Sequence, residues 1–191
     1  MNVERVYASD VPFQPWRNGG GVMQELLLRP PGADWKVRVG LAEIGADGLF
    51  SAYPGVERHL AVLRGAGLVL TIDGVAHRCT RDSAPLVFDG GAPTGCALID
   101  GPCHVLNLLL QGVAGAMRRV DGGEPWRPAT GWCGLYAVVA GRFEMRAERD
   151  ESIDVLPRTL LSFDRPPESL AFRRGDAQRG AAGYWLSAAS A

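Results

Sequence analysis

Leu60-Ala61-Val62-Leu63-Arg64-Gly65 is an apolar run that stops at a glycine, and Tyr136-Ala137-Val138-Val139-Ala140-Gly141 repeats its outline at an offset of 76 residues. Leu86-Val87-Phe88-Asp89 and Leu161-Ser162-Phe163-Asp164 form a second matching pair, at an offset of 75. Each lies in the same order of strand, glycine, strand and turn, so two pairs at nearly equal spacing point to one structural unit present twice. The expected fold is all-β: two antiparallel barrels or jelly-roll-like sandwiches in one chain. The first is expected over residues 1–112 and a smaller second over 113–191, joined in the Gly-, Pro- and charge-rich stretch from Gly112 to Trp132.

Working outward from that run, strict alternation is plainest at Trp35-Lys36-Val37-Arg38-Val39-Gly40-Leu41-Ala42-Glu43. Trp35, Val37, Val39 and Leu41 share one face, Lys36 and Arg38 the other, which reads as a strand with one buried side. Further strands are expected at 24–28, 59–63, 67–72, 75–79, 86–88, 96–99 and 105–110. Asn18-Gly19, Gly65-Ala66-Gly67, Asp73-Gly74, Asp89-Gly90-Gly91 and Asp100-Gly101-Pro102 mark turns. Helical periodicity is nearly absent, with at most a short helical turn at 114–119, so a parallel nucleotide-binding sheet is not expected.

Twenty basic residues stand against twenty-one acidic ones, giving a formal charge of -1. That balance offers no footprint for nucleic acid and no polybasic membrane patch, so charge recognition has to be local. No apolar stretch approaches the roughly 20 residues that span a bilayer, and the first residues carry no apolar leader core. A cytoplasmic location is the expectation. Cys79, Cys96, Cys103 and Cys133 are irregularly spaced, with no Cys-x-x-Cys pair, and read as reduced core thiols rather than a zinc site or disulfide scaffold.

A strand ending in Val-Leu-x-Gly and followed at once by another resembles the first cupin motif, whose glutamate and two histidines hold a metal. Counting back from Gly65, the glutamate position is Arg58 and the histidine positions are Pro54 and Ala52. The later histidine should follow the Phe88-Asp89-Gly90 turn, where Gly91, Ala92, Pro93 and Thr94 stand instead. None of these can ligate a divalent ion, so neither metal nor other cofactor is expected. Arg58 shares strand parity with Leu60 and Val62, and in the motif alignment it points into the barrel. A guanidinium there is a planar fork of donors suited to a carboxylate. Glu43 shares parity with the apolar face of its strand and is expected inward too. The alternatives are that Arg58 and Glu43 pair with each other, or that Arg58 is solvated.

Trp16-Arg17-Asn18-Gly19-Gly20-Gly21 is not a phosphate-binding loop, since it lacks the Gly-Lys-Ser/Thr ending and no helix pattern follows. Either the glycines let backbone approach a ligand that Arg17 or Asn18 hydrogen-bonds, or the string is a turn with Trp16 plugging the barrel mouth. The string, with Glu25 a few residues on, resembles the N-terminal signature of the HutD/Ves family. The Trp35–Glu43 strand, Asp47-Gly48-Leu49-Phe50-Ser51-Ala52-Tyr53-Pro54-Gly55-Val56-Glu57-Arg58, the Phe88-Asp89-Gly90 turn and the Asn107 strand extend the likeness over about residues 14–110. Arg17 stands where lysine is frequent, which keeps the charge. Val105 stands where an aspartate is frequent, which removes an acid from the strand of Asn107.

What the resemblance implies is a double cupin, found beside histidine-utilisation genes, that binds a pathway intermediate such as urocanate or formylglutamate and limits expression of the pathway. The expected partner is therefore a small anionic metabolite, with a homodimer as a candidate assembly. Arg58 is expected as anion clamp, Trp16 and Phe50 as apolar walls, and Arg17, Asn18, Glu43, Asp89 and Asn107 as polar ligand contacts. The alternative is a metal-independent isomerase, lyase or hydrolase of a small carboxylic acid, with Glu43 as general base and Arg58 as electrophilic stabiliser. No Gly-x-Ser-x-Gly elbow or Cys-His context supplies a nucleophile, so a binding protein is preferred over an enzyme.

Overall fold

The computed structural model describes residues 3–16, 19–128, 131–146, 150–164, 168–176 and 180–190. In chain order its strands are β1 (Glu4–Tyr7), β2 (Gln14–Pro15), β3 (Gly21–Arg29), β4 (Val37–Ile44), β5 (Gly48–Leu49), β6 (Val56–Arg64), β7 (Leu68–Ile72), β8 (Val75–Cys79) and β9 (Leu86–Asp89). They continue with β10 (Thr94–Leu98), β11 (Cys103–Gln111), β12 (Gly115–Val120), β13 (Gly131–Ala137), β14 (Gly141–Arg146), β15 (Glu151–Val155), β16 (Thr159–Phe163), β17 (Ser169–Arg174) and β18 (Gly183–Ala189). The stretch at 114–119, read as at most a helical turn, is strand β12, held in ladder register along β18 from Gly115–Ala188 to Val120–Gly183. Among the described residues no helix is long and apolar enough to cross a membrane.

The chain divides into two compact units, Val11–Gly112 and Met1–Asp10 with Val113–Ala191. The expectation of a first barrel beginning at residue 1 is corrected here. β1 pairs with β16, from Glu4–Ser162 to Tyr7–Thr159, so its backbone groups are satisfied by a sheet of the C-terminal unit.

In the Val11–Gly112 unit a six-stranded sheet, β2-β3-β4-β11-β6-β9, accompanies a four-stranded one, β5-β10-β7-β8. In the other unit β1-β16-β13-β18-β12 accompanies β15-β14-β17. The order β4-β11-β6-β9 recurs as β12-β18-β13-β16, and β10-β7-β8 recurs as β17-β14-β15. Every neighbouring pair is antiparallel, as hairpin-linked strands require.

The ladders also show where the sequence repeat runs out of step. Leu60, Val62 and Phe88 lie in the core of the first unit, and Leu135, Ala137 and Phe163 in that of the second. These three pairs of core residues correspond at an offset of 75, whereas the match of Leu60 with Tyr136 is one residue out and pairs opposite faces of the strand. With that step corrected, Cys133 stands where the first unit has Arg58. Trp185, opposite Leu135, stands where the first unit has Asn107, opposite Leu60.

These exchanges fill the second interior. Phe143 and Phe163 stack at 5.4 Å, Trp126 and Trp185 at 4.9 Å, and burial pushes the Cys133 thiol up to about 12. Phe143 is 1% exposed. Phe143→Leu keeps an apolar group but loses the ring stack, and is expected to lower stability by about 1–2 kcal/mol in a denaturant titration.

Candidate functional site

The first unit keeps its interior open: a cavity of about 590 Å³ is bounded by β2, β3, β4, β6, β11 and the segment Phe50–Tyr53. Its floor is the inner face of the six-stranded sheet, and strand register sets the side chains out in rows. In one row Arg38 on β4 pairs with Leu109 on β11, Leu109 with Arg58 on β6, and Arg58 with Phe88 on β9. In the next, Glu25 on β3 pairs with Gly40, Gly40 with Asn107, and Asn107 with Leu60. Side chains directly opposite share a face, so Arg38, Arg58, Asn107 and the bare position of Gly40 look into one space.

Arg58 is 7% exposed, although it carries a full charge at neutral pH. Its guanidinium carbon lies 5.0 Å from the ring centres of Phe50 and Phe88 and 5.6 Å from that of Tyr53. Aromatic faces stabilise a cation but accept none of its hydrogen bonds in full. Nη1 donates over a long 3.4 Å to the Ser51 carbonyl, and Nε is buried with no partner among the described residues. Burial draws the group down from arginine's ordinary value to about 10, a shift that Tyr53 opposes. Gly90 makes this packing possible, because a Cβ there would come within 3.1 Å of Arg58 Cδ and 2.8 Å of the Val56 carbonyl.

Asn107 contributes the other orphan: its Oδ1 is buried and unpaired among the described residues. A donor fork and an amide oxygen, both short of partners and one row apart, form a place where a polar ligand recovers hydrogen bonds that water is kept from making. Trp16 and Phe50, edge to face at 6.1 Å, wall one side. Met23 and Leu109 add apolar surface.

One residue missed at the sequence level adds to the site. Arg38, read as solvent-facing, lines the cavity, and its Nε lies 2.8 Å from Glu25 Oε2, with side-chain exposures of 20% and 30%. The available signal was Arg38-x-Gly40-x-Ala42 itself, a strand face whose small residues leave room beside a cation.

Glu43, expected inward, is corrected. Its side chain is 41% exposed, 3.9 Å from His104, on the sheet face opposite Arg38 and Ala42. Asp89 is also corrected: it is exposed and accepts the Gly91 backbone N–H at 2.8 Å, so it shapes a turn and does not line the cavity. Arg17 and Asn18 lie outside the described residues. A cupin metal does not fit the residues present. Ala52 and Arg58, at two of the motif positions, line the cavity, and neither has an electron pair to give a divalent ion. Arg58 adds a buried positive charge.

Comparison with known proteins agrees with this architecture. HutD from Pseudomonas fluorescens SBW25 superposes with a TM-score of 0.82 at 23% identity, covering 99% of this chain and 100% of that one. A conserved protein of unknown function from Pseudomonas aeruginosa PAO1 gives 0.82 at 22%, over the whole of both chains. A Bacillus subtilis oxalate decarboxylase variant gives 0.64 at 9%, over 95% of this chain and 76% of that one, which places the fold among the cupins.

In sequence, an uncharacterized 21.2 kDa protein in the hutC 3' region of Pseudomonas putida is 33% identical over 106 residues, 53% of this chain and 55% of that protein. Protein Ves of Citrobacter koseri is 33% identical over 102 residues, 52% and 53%. The chain spans about half the length of the curated relatives it matches. The HutD family model matches residues 8–169, all of the Val11–Gly112 unit and about two thirds of the other, and the chain belongs to the HutD family.

Proposed function

We propose that the chain is a metal-free receptor for a small carboxylate of histidine catabolism, urocanate or formylglutamate, acting in the cytoplasm to modulate histidine-utilisation genes. The observation that carries the reading is Arg58, a buried cation caged by three aromatic rings with no carboxylate partner among the described residues. A buried charge is costly until a counter-charge meets it, and a bidentate carboxylate is the ligand group that uses a guanidinium fork most fully. Asn107 and the apolar walls suit a flat or short-chain acid held by one end. The enzymatic alternative fares worse, since Glu43, the general base assigned to it, stands outside the cavity.

The test is a thermal-shift series with urocanate, formylglutamate, glutamate and histidine, followed by the absorbance of the urocanate sample over hours. At 100 times its Kd a bound acid stabilises by about 2.7 kcal/mol, a shift of several degrees. At least one acid is expected to raise the melting temperature while urocanate stays chemically unchanged. No shift with any of the four rejects the reading, and loss of urocanate absorbance replaces it with the enzymatic one.

A further inference from the structure

We propose that the Glu25–Arg38 ion pair is the second half of the ligand site, and that it selects a neutral donor–acceptor group, an amide or an imidazole, at the far end of a monocarboxylate in preference to a second carboxylate. This rests on the reading that Arg58 holds the first carboxylate, and of the two acids proposed it favours urocanate, formylglutamate being a dicarboxylate. The two arginines lie in one row of the sheet, separated by Leu109, so two strand spacings put their Cα atoms roughly 10 Å apart. A ligand leaving Arg58 along the cavity floor crosses Leu109 or the bare Gly40 and arrives at Arg38. Gly40 matters here, because a Cβ would come within 3.0 Å of the Gln24 carbonyl and occupy the floor between Glu25 and Asn107.

The two cations differ in how far they are already satisfied. Arg58 has no acid beside it among the described residues, whereas Arg38 donates through Nε to Glu25 and, weakly, through Nη2 to Met23 Sδ at 3.9 Å. An arginine has five donors and a carboxylate two oxygens, so the pair still presents a donor next to an acceptor. An amide or imidazole offers the matching acceptor and donor and adds no net charge. A second carboxylate finds the same donor but brings its charge against Glu25, at an exposure where water screens the repulsion incompletely. The site discriminates by that repulsion as much as by attraction.

Isothermal titration of the full chain with glutarate, its half-amide and valerate tests this, since the three share a five-carbon chain and differ at one end. The half-amide is expected to bind at least about tenfold tighter than either of the others. Glu25→Gln should bring glutarate level with the half-amide or ahead of it. Arg38→Met, a second variant, should reduce the half-amide to the level of valerate. Melting curves and circular dichroism verify that each variant is folded. Equal affinity of the wild type for glutarate and the half-amide, or for valerate and the half-amide, overturns the inference without touching the role of Arg58. So does a ranking that survives Glu25→Gln in a folded protein. Failure of all three acids to bind the wild type overturns the carboxylate reading and this inference with it.

Discussion

Arg58→Met is expected to raise the melting temperature of the ligand-free protein and to abolish carboxylate binding in the same step. Arg58 is 7% exposed, its guanidinium's one backbone contact is long, and its Nε is unpaired among the described residues. Drawing an arginine from its ordinary value down to about 10 corresponds to a penalty on the order of 3 kcal/mol for holding the charge in the folded state. Contacts with Phe50, Tyr53 and Phe88 stand within the protein as partial compensation, and a methionine sulfur makes favourable contacts with the same rings. The net gain should be about 1–2 kcal/mol, a few degrees in a melt. The pH dependence gives a second readout. Because the folded-state value lies below the unfolded one, the penalty is present in full below pH 10, and wild-type stability should recover relative to the variant as pH rises above about 10. A variant that melts lower than the wild type would show that the guanidinium is stabilised from within and has no need of a ligand.

The features that made Arg58 legible in the sequence also explain why Glu43 was misplaced. Arg58 interrupts an apolar parity, 58-60-62, whose later members are core, so either face assignment would have left it conspicuous. β4 gives no such anchor. Its Val37, Val39 and Leu41 are 5%, 0% and 8% exposed, yet Gly40, Ala42 and Ile44 on the opposite parity are buried too. Alternation reveals which parity is apolar, and on a sheet buried on both faces that is not the same as which parity faces the cavity. The inner parity holds Arg38 because a binding cavity needs polar groups, so the functional face looked like the solvent face. Glu25 was visible in the family signature, but its partner lies on the next strand, and a cross-strand pair cannot be read without the register.

Asp89 illustrates a different limit. An acid ahead of two glycines is as well explained by a turn as by a ligand contact, and here its carboxylate caps Gly91. The repeat was legible as a spacing, yet the one-residue slip between the 76 and 75 offsets hid its most useful content. Aligned through the core, the two copies place Arg58 against Cys133 and Asn107 against Trp185. The same strand order therefore carries a polar cavity in one copy and an aromatic core in the other.

That contrast makes Asn107 the position where one atom's charge decides what the cavity does. Asn107→Asp is isosteric, so the fold should tolerate it, but it sets a carboxylate one row from Arg58 and beside the open floor at Gly40. An internal acid in reach of a buried, unpaired guanidinium forms the ion pair that a ligand would otherwise supply, and its charge repels any acid that enters. The variant should melt at or above the wild type while its affinity for small carboxylates falls by about a hundredfold, which is about 2.7 kcal/mol. Asn107→Leu separates charge from lost hydrogen bonding. It removes the unpaired Oδ1 and its amide without adding an acid, and is expected to weaken binding by only about tenfold, near 1.4 kcal/mol. Titrations of the two variants beside the wild type, each with its melting curve, give the comparison. If Asn107→Asp binds carboxylates as well as Asn107→Leu does, the added charge is not felt at the ligand, and the cavity holds its acid somewhere other than at Arg58.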